Sequence, residues 1–248
     1  MPYYRELLDR GCDGINLLGT TGEAMSFSAE QRLGLMEALA TGGFPMARAM
    51  VGTGASSLAD AVRLTRAAFE LGFAALIMPP FFYRDVTDDG IVAFLDALFA
   101  RTAPPPQSVL LYNFPRMSGI EFHPALVDRL VTEFPQIIAG MKDSSNDPAL
   151  QADVIARRPD FAVFPGSESD LVAAKARGAA GCISGSVALW PELARDVFTN
   201  DDAAKAAELT RRRAALDGLP FVPAVRARIA RERNDPRWER IVPPQTPN

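Results

Sequence analysis

The feature that most constrains this chain is a repeated alternation, in which short runs rich in Val, Ile, Leu and Ala give way to longer segments whose apolar residues recur at helical spacing. Strands buried on both faces need not alternate apolar with polar residues, and an amphipathic helix is the usual crossover between two such strands. The pattern therefore predicts parallel βαβ units. Strands are expected near 14–18, 47–52, 73–78, 107–112, 136–142, 161–165 and 180–184, and helices between them near 28–41, 56–71, 89–102, 123–133, 147–157 and 168–177. Further helices near 190–199, 201–217 and 221–233 close the chain. Several helix starts carry their own signals: Ser28 followed by Glu30, Asp147 by Pro148, and Trp190 by Pro191 and Glu192.

Units of this kind close into a (β/α) barrel, and 248 residues matches one such domain. A single domain over 1–248 is expected, with the barrel over about 1–199 and a C-terminal helical region over about 200–248. Seven strands are visible and the chain opens on a helical segment, YYRELLDRG, whereas a closed barrel has about eight strands. A gap would leave unpaired backbone groups along two strand edges. The expected fold class is thus α/β, a TIM (β/α)8 barrel with C-terminal helices whose first strand is missing from this chain, by truncation or because the true start lies upstream.

Composition narrows the chemistry. A net charge of -4 without any Lys/Arg block leaves no footprint for nucleic acid or an anionic membrane, so a small-molecule partner is expected. The two cysteines, Cys12 and Cys182, lack the spacing of a zinc site or a disulfide framework, which suggests a reducing cytoplasm. The opening MPYYRELLDRG is too polar for a signal peptide. One histidine, His123, excludes any mechanism or metal site that needs two, and its place before Pro124 marks it as a cap or surface residue. Trp190 and Trp238 read as packing residues, and Met25, Met78, Met117 and Met141 as core or wall fillers.

Three motifs fall at the ends of expected strands. Gly19-Thr20-Thr21-Gly22-Glu23 joins a strand to a helix, and its glycines would let backbone N–H groups and two hydroxyls converge on an anion such as a carboxylate. An ordinary strand-to-helix turn would look the same. In Leu111-Tyr112-Asn113-Phe114-Pro115 a tyrosine could point its hydroxyl into the barrel mouth and pass protons, or simply be a satisfied barrel tyrosine. In Ala139-Gly140-Met141-Lys142-Asp143-Ser144-Ser145 an apolar strand ends in a lysine. Burial disfavours an ammonium and frees a neutral amine to attack a carbonyl, although a lysine at a strand end can also snorkel to solvent.

These motifs, in this order, resemble those of the dihydrodipicolinate synthase and N-acetylneuraminate lyase family, as do Gly166-Ser167-Glu168 and Gly181-Cys182-Ile183-Ser184-Gly185. The resemblance implies a class I, Schiff-base-forming aldolase or lyase that needs neither metal nor organic cofactor. It implies that Lys142 forms the imine, that Tyr112 relays protons with Thr20 as its hydroxyl partner, and that Gly19, Thr20 and Thr21 hold the carboxylate of a 2-oxo acid such as pyruvate. It also implies a backbone carbonyl from Ile183 in the site wall and a homotetramer built as a dimer of dimers.

Two positions depart from the synthase pattern. Those synthases take a tyrosine from the neighbouring subunit where this chain, in Pro79-Pro80-Phe81-Phe82-Tyr83, has Phe82. They grip the second substrate's carboxylate with an arginine where this chain has Met117, with Arg116 one residue early. Losing one charged hydrogen bond forfeits roughly 1.5–3 kcal/mol. The expected reaction is therefore cleavage or dehydration of a 2-keto-3-deoxy sugar acid or similar compound, with Arg84 and Arg116 as candidates for its polar tail. The alternatives are 4-hydroxy-tetrahydrodipicolinate synthase, joining pyruvate and aspartate semialdehyde, and a non-catalytic oxo-acid-binding relative.

Overall fold

The computed structural model describes residues 2–80, 82–83 and 85–246. After α1 (Pro2–Asp9), strands and helices alternate: β1 (Ile15–Leu17), α2 (Ala29–Thr41), β2 (Ala49–Gly52), α3 (Leu58–Glu70), β3 (Ala74–Ile77), α4 (Asp88–Thr102) and β4 (Val109–Asn113). The short α5 (Pro115–Ser118) then precedes α6 (Pro124–Glu133), β5 (Ile138–Asp143), α7 (Pro148–Arg157), β6 (Ala162–Pro165) and α8 (Leu171–Ala176). Three helices follow: α9 (Pro191–Asn200), α10 (Ala203–Ala214) and α11 (Phe221–Arg233). The strands form one parallel sheet in the order β1-β2-β3-β4-β5-β6, each paired with its sequence neighbour.

The two faces of these strands do different work. Ile15, Leu17, Ala49, Val51, Ala75, Ile77, Val109, Leu111 and Met141 face outward into two buried clusters against the helices. The alternate residues Met50, Leu76, Leu110 and Tyr112 face the other way and pack with Met78 and Phe114 in a smaller cluster inside the half-barrel. Side chains alternate along a strand, so the register Leu111↔Met141 and Tyr112↔Lys142 sends Tyr112 and Lys142 to that inner face together.

Capping chemistry explains where the helices start. Ser28 forms a capping box with Gln31 rather than using Glu30, each side chain bonding the other's backbone N–H. Ser57 and Thr87 cap α3 and α4. Asp147 accepts from the Ala149 and Leu150 N–H groups, with Pro148 filling a position that has no donor to satisfy. His123 is a cap as expected: Nδ1 accepts from the Leu126 N–H at 3.3 Å while Nε2 meets Asp88.

The strand expected over 180–184 is not regular. Two backbone bonds follow β6, from the Ala180 N–H to the Val163 carbonyl and from the Ile183 N–H to the Pro165 carbonyl, both at 3.0 Å. Between them the chain advances three residues against two on β6, with Gly181 at φ +155°, so the pairing carries an extra residue and no regular ladder forms. Beyond it, α9, α10 and α11 gather around Trp190, Val197, Leu209, Val225 and Ile229, with Trp238 packed on the rim. The Trp190 indole N–H donates to Glu168, so both tryptophans are packing residues as the sequence suggests.

Candidate active site

Lys142 is only 8% exposed although it is one residue from the end of β5, and its Nζ lies 4.2 Å from the centroid of the Tyr112 ring. Among the described residues it has no ion-pair partner. The lysine therefore stays in the barrel mouth instead of snorkelling to solvent. The Tyr112 hydroxyl shares a 3.1 Å hydrogen bond with Thr20 Oγ1, so the three side chains singled out in the sequence meet at one place.

The next residue of each strand points outward and locks this pair. Asn113 Nδ2 donates to Asp143 Oδ1 at 2.7 Å, and Gln151 Nε2 donates to Asp143 Oδ2 at 2.7 Å. Asn113 Oδ1 accepts from the Phe122 N–H, and Ser145 donates twice to Asp143. A buried carboxylate satisfied by neutral donors is a stiff support. Sequence reasoning missed this network, although strand alternation places Asp143 and Asn113 opposite Lys142 and Tyr112 and could have revealed it.

The Gly19-Thr20-Thr21-Gly22-Glu23 turn enters the cavity from β1. Leu18 and Glu23, at its two ends, hold left-handed φ values of 51° and 54°, a strained choice for side chains of that size. The strain is held by contact: a Cβ on Gly52 would lie 2.1 Å from the Leu18 carbonyl oxygen, so only glycine lets β2 approach the turn. On the other side a Cβ on Gly185 would lie 2.3 Å from Thr21 Oγ1. The carbonyls of Gly19 and Thr20 accept the Ala24 and Glu23 N–H groups. The N–H groups of Thr20 and Thr21 have no acceptor among the described residues and are open to an anion.

A cavity of about 680 Å³ spans these groups, and Gly19, Thr20, Thr21, Tyr112, Arg116 and Lys142 all line it. Ile183 is not among its lining residues, whereas Gly185 is. Met25, Met78 and Met117 are wall residues, and Met141 is fully buried in the core. Phe82 is 71% exposed and meets Tyr83 edge-on with centroids 5.3 Å apart. Arg84, the other arginine candidate, and Phe81 lie outside the described residues. Sequence reasoning missed one whole wall, made by residues 216–222, which run from the end of α10 into the first turn of α11, and by Gln245.

Among the described residues the cavity brings together the Lys142 amine, the Tyr112 phenol with its Thr20 hydroxyl partner and the open Thr20 and Thr21 N–H groups, with the Arg116 guanidinium also in its lining. Burial pushes the Cys182 thiol up to about 12, with the Glu168 carboxylate adding to the rise, so it stays protonated and weakly nucleophilic in neutral solution. Among the described residues no three His, Cys, Asp or Glu side chains gather as a metal-ligand set.

The sequence model of the Dihydrodipicolinate synthetase family matches residues 4–222. The chain belongs to this family. Dihydrodipicolinate synthetase family members are lyases and aldolases that make or break carbon–carbon bonds, and the chain is an enzyme of that kind. An uncharacterized DapA-like lyase of Chloroflexus aurantiacus is 34% identical over 233 residues, covering 92% of this chain and 77% of that protein. A 4-hydroxy-tetrahydrodipicolinate synthase of Synechococcus sp. is 31% identical over 209 residues, covering 83% and 68% respectively. The crystal structure of dihydrodipicolinate synthase from Agrobacterium tumefaciens superposes with a TM-score of 0.93 at 27% identity, over 100% of this chain and 86% of that one. The family's barrel architecture is therefore the architecture here, and no helix among the described residues is long and apolar enough to cross a membrane.

Proposed function

We propose that the chain is a class I aldolase or lyase in which Lys142 forms a Schiff base with pyruvate or a related 2-oxo acid, and that it cleaves or dehydrates a 2-keto-3-deoxy sugar acid or similar compound. The observation that carries this reading is the buried Lys142 amine 4.2 Å from the Tyr112 ring, with the Tyr112 hydroxyl 3.1 Å from Thr20.

The substrate carboxylate lies against the open N–H groups of Thr20 and Thr21, supported by Gly19. The Lys142 amine adds to C2, and loss of water gives a protonated imine. That cation is the electron sink: Tyr112, aided by Thr20, takes the C4 hydroxyl proton, the C3–C4 bond breaks, and its electron pair passes into an enamine while an aldehyde leaves. Protonation at C3 and hydrolysis then release pyruvate and restore the amine. No cofactor enters these steps. Arg116 at the cavity edge and Arg84 are the residues proposed to meet the polar tail, while the wall carbonyl expected from Ile183 is not part of the proposal, because Ile183 does not line the cavity.

The synthase reading has support of its own in the name of the Synechococcus relative. Against it stand Met117, exposed at the cavity edge where the resemblance puts a carboxylate-gripping arginine, and Phe82, which lacks the hydroxyl of a tyrosine. A direct comparison separates the two. The enzyme is expected to release pyruvate from a 2-keto-3-deoxy sugar acid and to leave aspartate semialdehyde and pyruvate unjoined. Efficient condensation of that pair, with no sugar-acid cleavage, would hand the site to the synthase reading. The same proposal takes the enzyme to be cytoplasmic and a homotetramer made of two dimers.

A further inference from the structure

The last residue of the Gly19–Glu23 turn looks away from the reaction and toward the C-terminal region. The Glu23 side chain is 0% exposed. Its Oε1 accepts from the Val242 N–H at 2.8 Å, and its Oε2 accepts from the Arg226 guanidinium on α11. Arg226 in turn donates to the Arg240 carbonyl at 2.8 Å. A buried carboxylate is tolerated only with such partners, so one side chain ties the anion-holding turn to both α11 and the segment 240–246. That segment crosses to the cavity: Pro243, Pro244 and Thr246 are exposed, while Gln245 between them is half-buried and lines the wall beside residues 216–222.

The chemistry of this wall is specific. Its one guanidinium among the described residues, Arg213, is already paired with Asp217 at 2.8 Å and lies 5.1 Å from the Phe221 ring. The wall thus offers a carboxamide, apolar surface and the internally paired Arg213–Asp217 couple, while the cavity's other guanidinium among the described residues, Arg116, stands on α5 and not on this wall. A carboxamide both donates and accepts, which suits hydroxyl groups and gives nothing extra to a second carboxylate.

We infer that Gln245 is a specificity-determining residue that recognises an uncharged, hydroxyl-bearing tail on the 2-oxo acid, and that the Glu23–Arg226 pair are positioning residues that hold it there. The inference rests on the Schiff-base reading above and narrows its substrate class to neutral polyol tails. Glu23 bonds the segment directly at Val242 and, through Arg226, a second time at Arg240, so the turn that grips the substrate's carboxylate is tied to the far wall.

The test uses the full chain and borohydride trapping, which needs only imine formation. The half-saturating concentration for adduct formation is measured with a six-carbon 2-keto-3-deoxy sugar acid and with 2-oxoglutarate, and their ratio is the readout. Wild-type protein is expected to favour the sugar acid. Gln245→Ala, at a half-buried site in a bend outside any helix or strand, is expected to lower that preference about three- to tenfold, the loss of one neutral hydrogen bond. Arg226→Met is expected to lower it in the same direction. A wild-type preference for 2-oxoglutarate, or an unchanged ratio in Gln245→Ala, overturns the assignment of Gln245. An unchanged ratio in Arg226→Met alone overturns the positioning role. If folded wild-type protein gives no adduct with any 2-oxo acid, pyruvate included, the Schiff-base reading falls and this inference falls with it.

Discussion

Lys142 and Tyr112 are neighbours because parallel register and strand alternation leave them no other arrangement: Tyr112 pairs with Lys142, and each shares a face with residues two positions away. That proximity is what the proposed mechanism uses when it makes the Tyr112 hydroxyl the proton carrier. Tyr112→Phe keeps the ring beneath the amine and removes only the hydroxyl that bonds Thr20, so kcat is expected to fall by roughly 10²–10⁴ while folding is retained. Steady-state kinetics beside a thermal melt would check this, and a variant with undiminished kcat would remove Tyr112 from the mechanism. Gly185 governs the same site by its lack of a side chain. Gly185→Ala would drive a methyl group against Thr21, so half-saturation for pyruvate should rise several-fold, most of the loss falling on binding. A KM unchanged from wild type would show that the Thr21 side of the turn yields freely.

At the scale of elements, the helices were legible because their starts are written in local chemistry. Ser28, His123 and Asp147 each cap a helix within a residue or two of the expected start, and the apolar spacing behind them shows which face packs. What escaped was interaction between elements. The strand expected over 180–184 is apolar enough, but an extra residue in the pairing around Gly181 interrupts the ladder, and composition does not reveal register. Arg32 shows the same limit. In sequence it is one more charged residue of α2, yet it is 4% exposed and donates to the carbonyls of Gly52 and Gly54 at the end of β2. Burial pulls its guanidinium down to about 10, offset in part by Asp60. Arg32→Met would leave those carbonyls unpaired at a cost of about 1–3 kcal/mol. Calorimetric unfolding is expected to show a Tm several degrees lower, and an unaltered Tm would mean that water replaces the bonds.

At the scale of the whole molecule, the Lys142 side of the cavity was legible and the opposite wall was not. Gly19, Thr20, Tyr112 and Lys142 sit on barrel elements whose order in sequence is their order in the sheet. The opposite wall comes from residues 216–222 and from Gln245, and Glu23 is joined to α11 and to the segment that carries Gln245 by bonds to Arg226 and Val242, 203 and 219 positions away. No periodicity or motif spans such distances. Met117 and Leu219 at the cavity, and Phe82 and Tyr83 elsewhere, are large apolar side chains left exposed, of the kind enriched at subunit contacts. Light scattering of the purified protein is expected to give the mass of four chains. A monomer at micromolar concentration would refute the proposed tetramer.

The central claim is that the Lys142 amine is the group that condenses with a 2-oxo acid. Pyruvate and borohydride should add one reduced pyruvate adduct per chain, and peptide mass mapping should place it on Lys142, with none formed by Lys142→Arg. A folded wild-type sample with no adduct, or with the adduct on Lys175 or Lys205, would contradict the account.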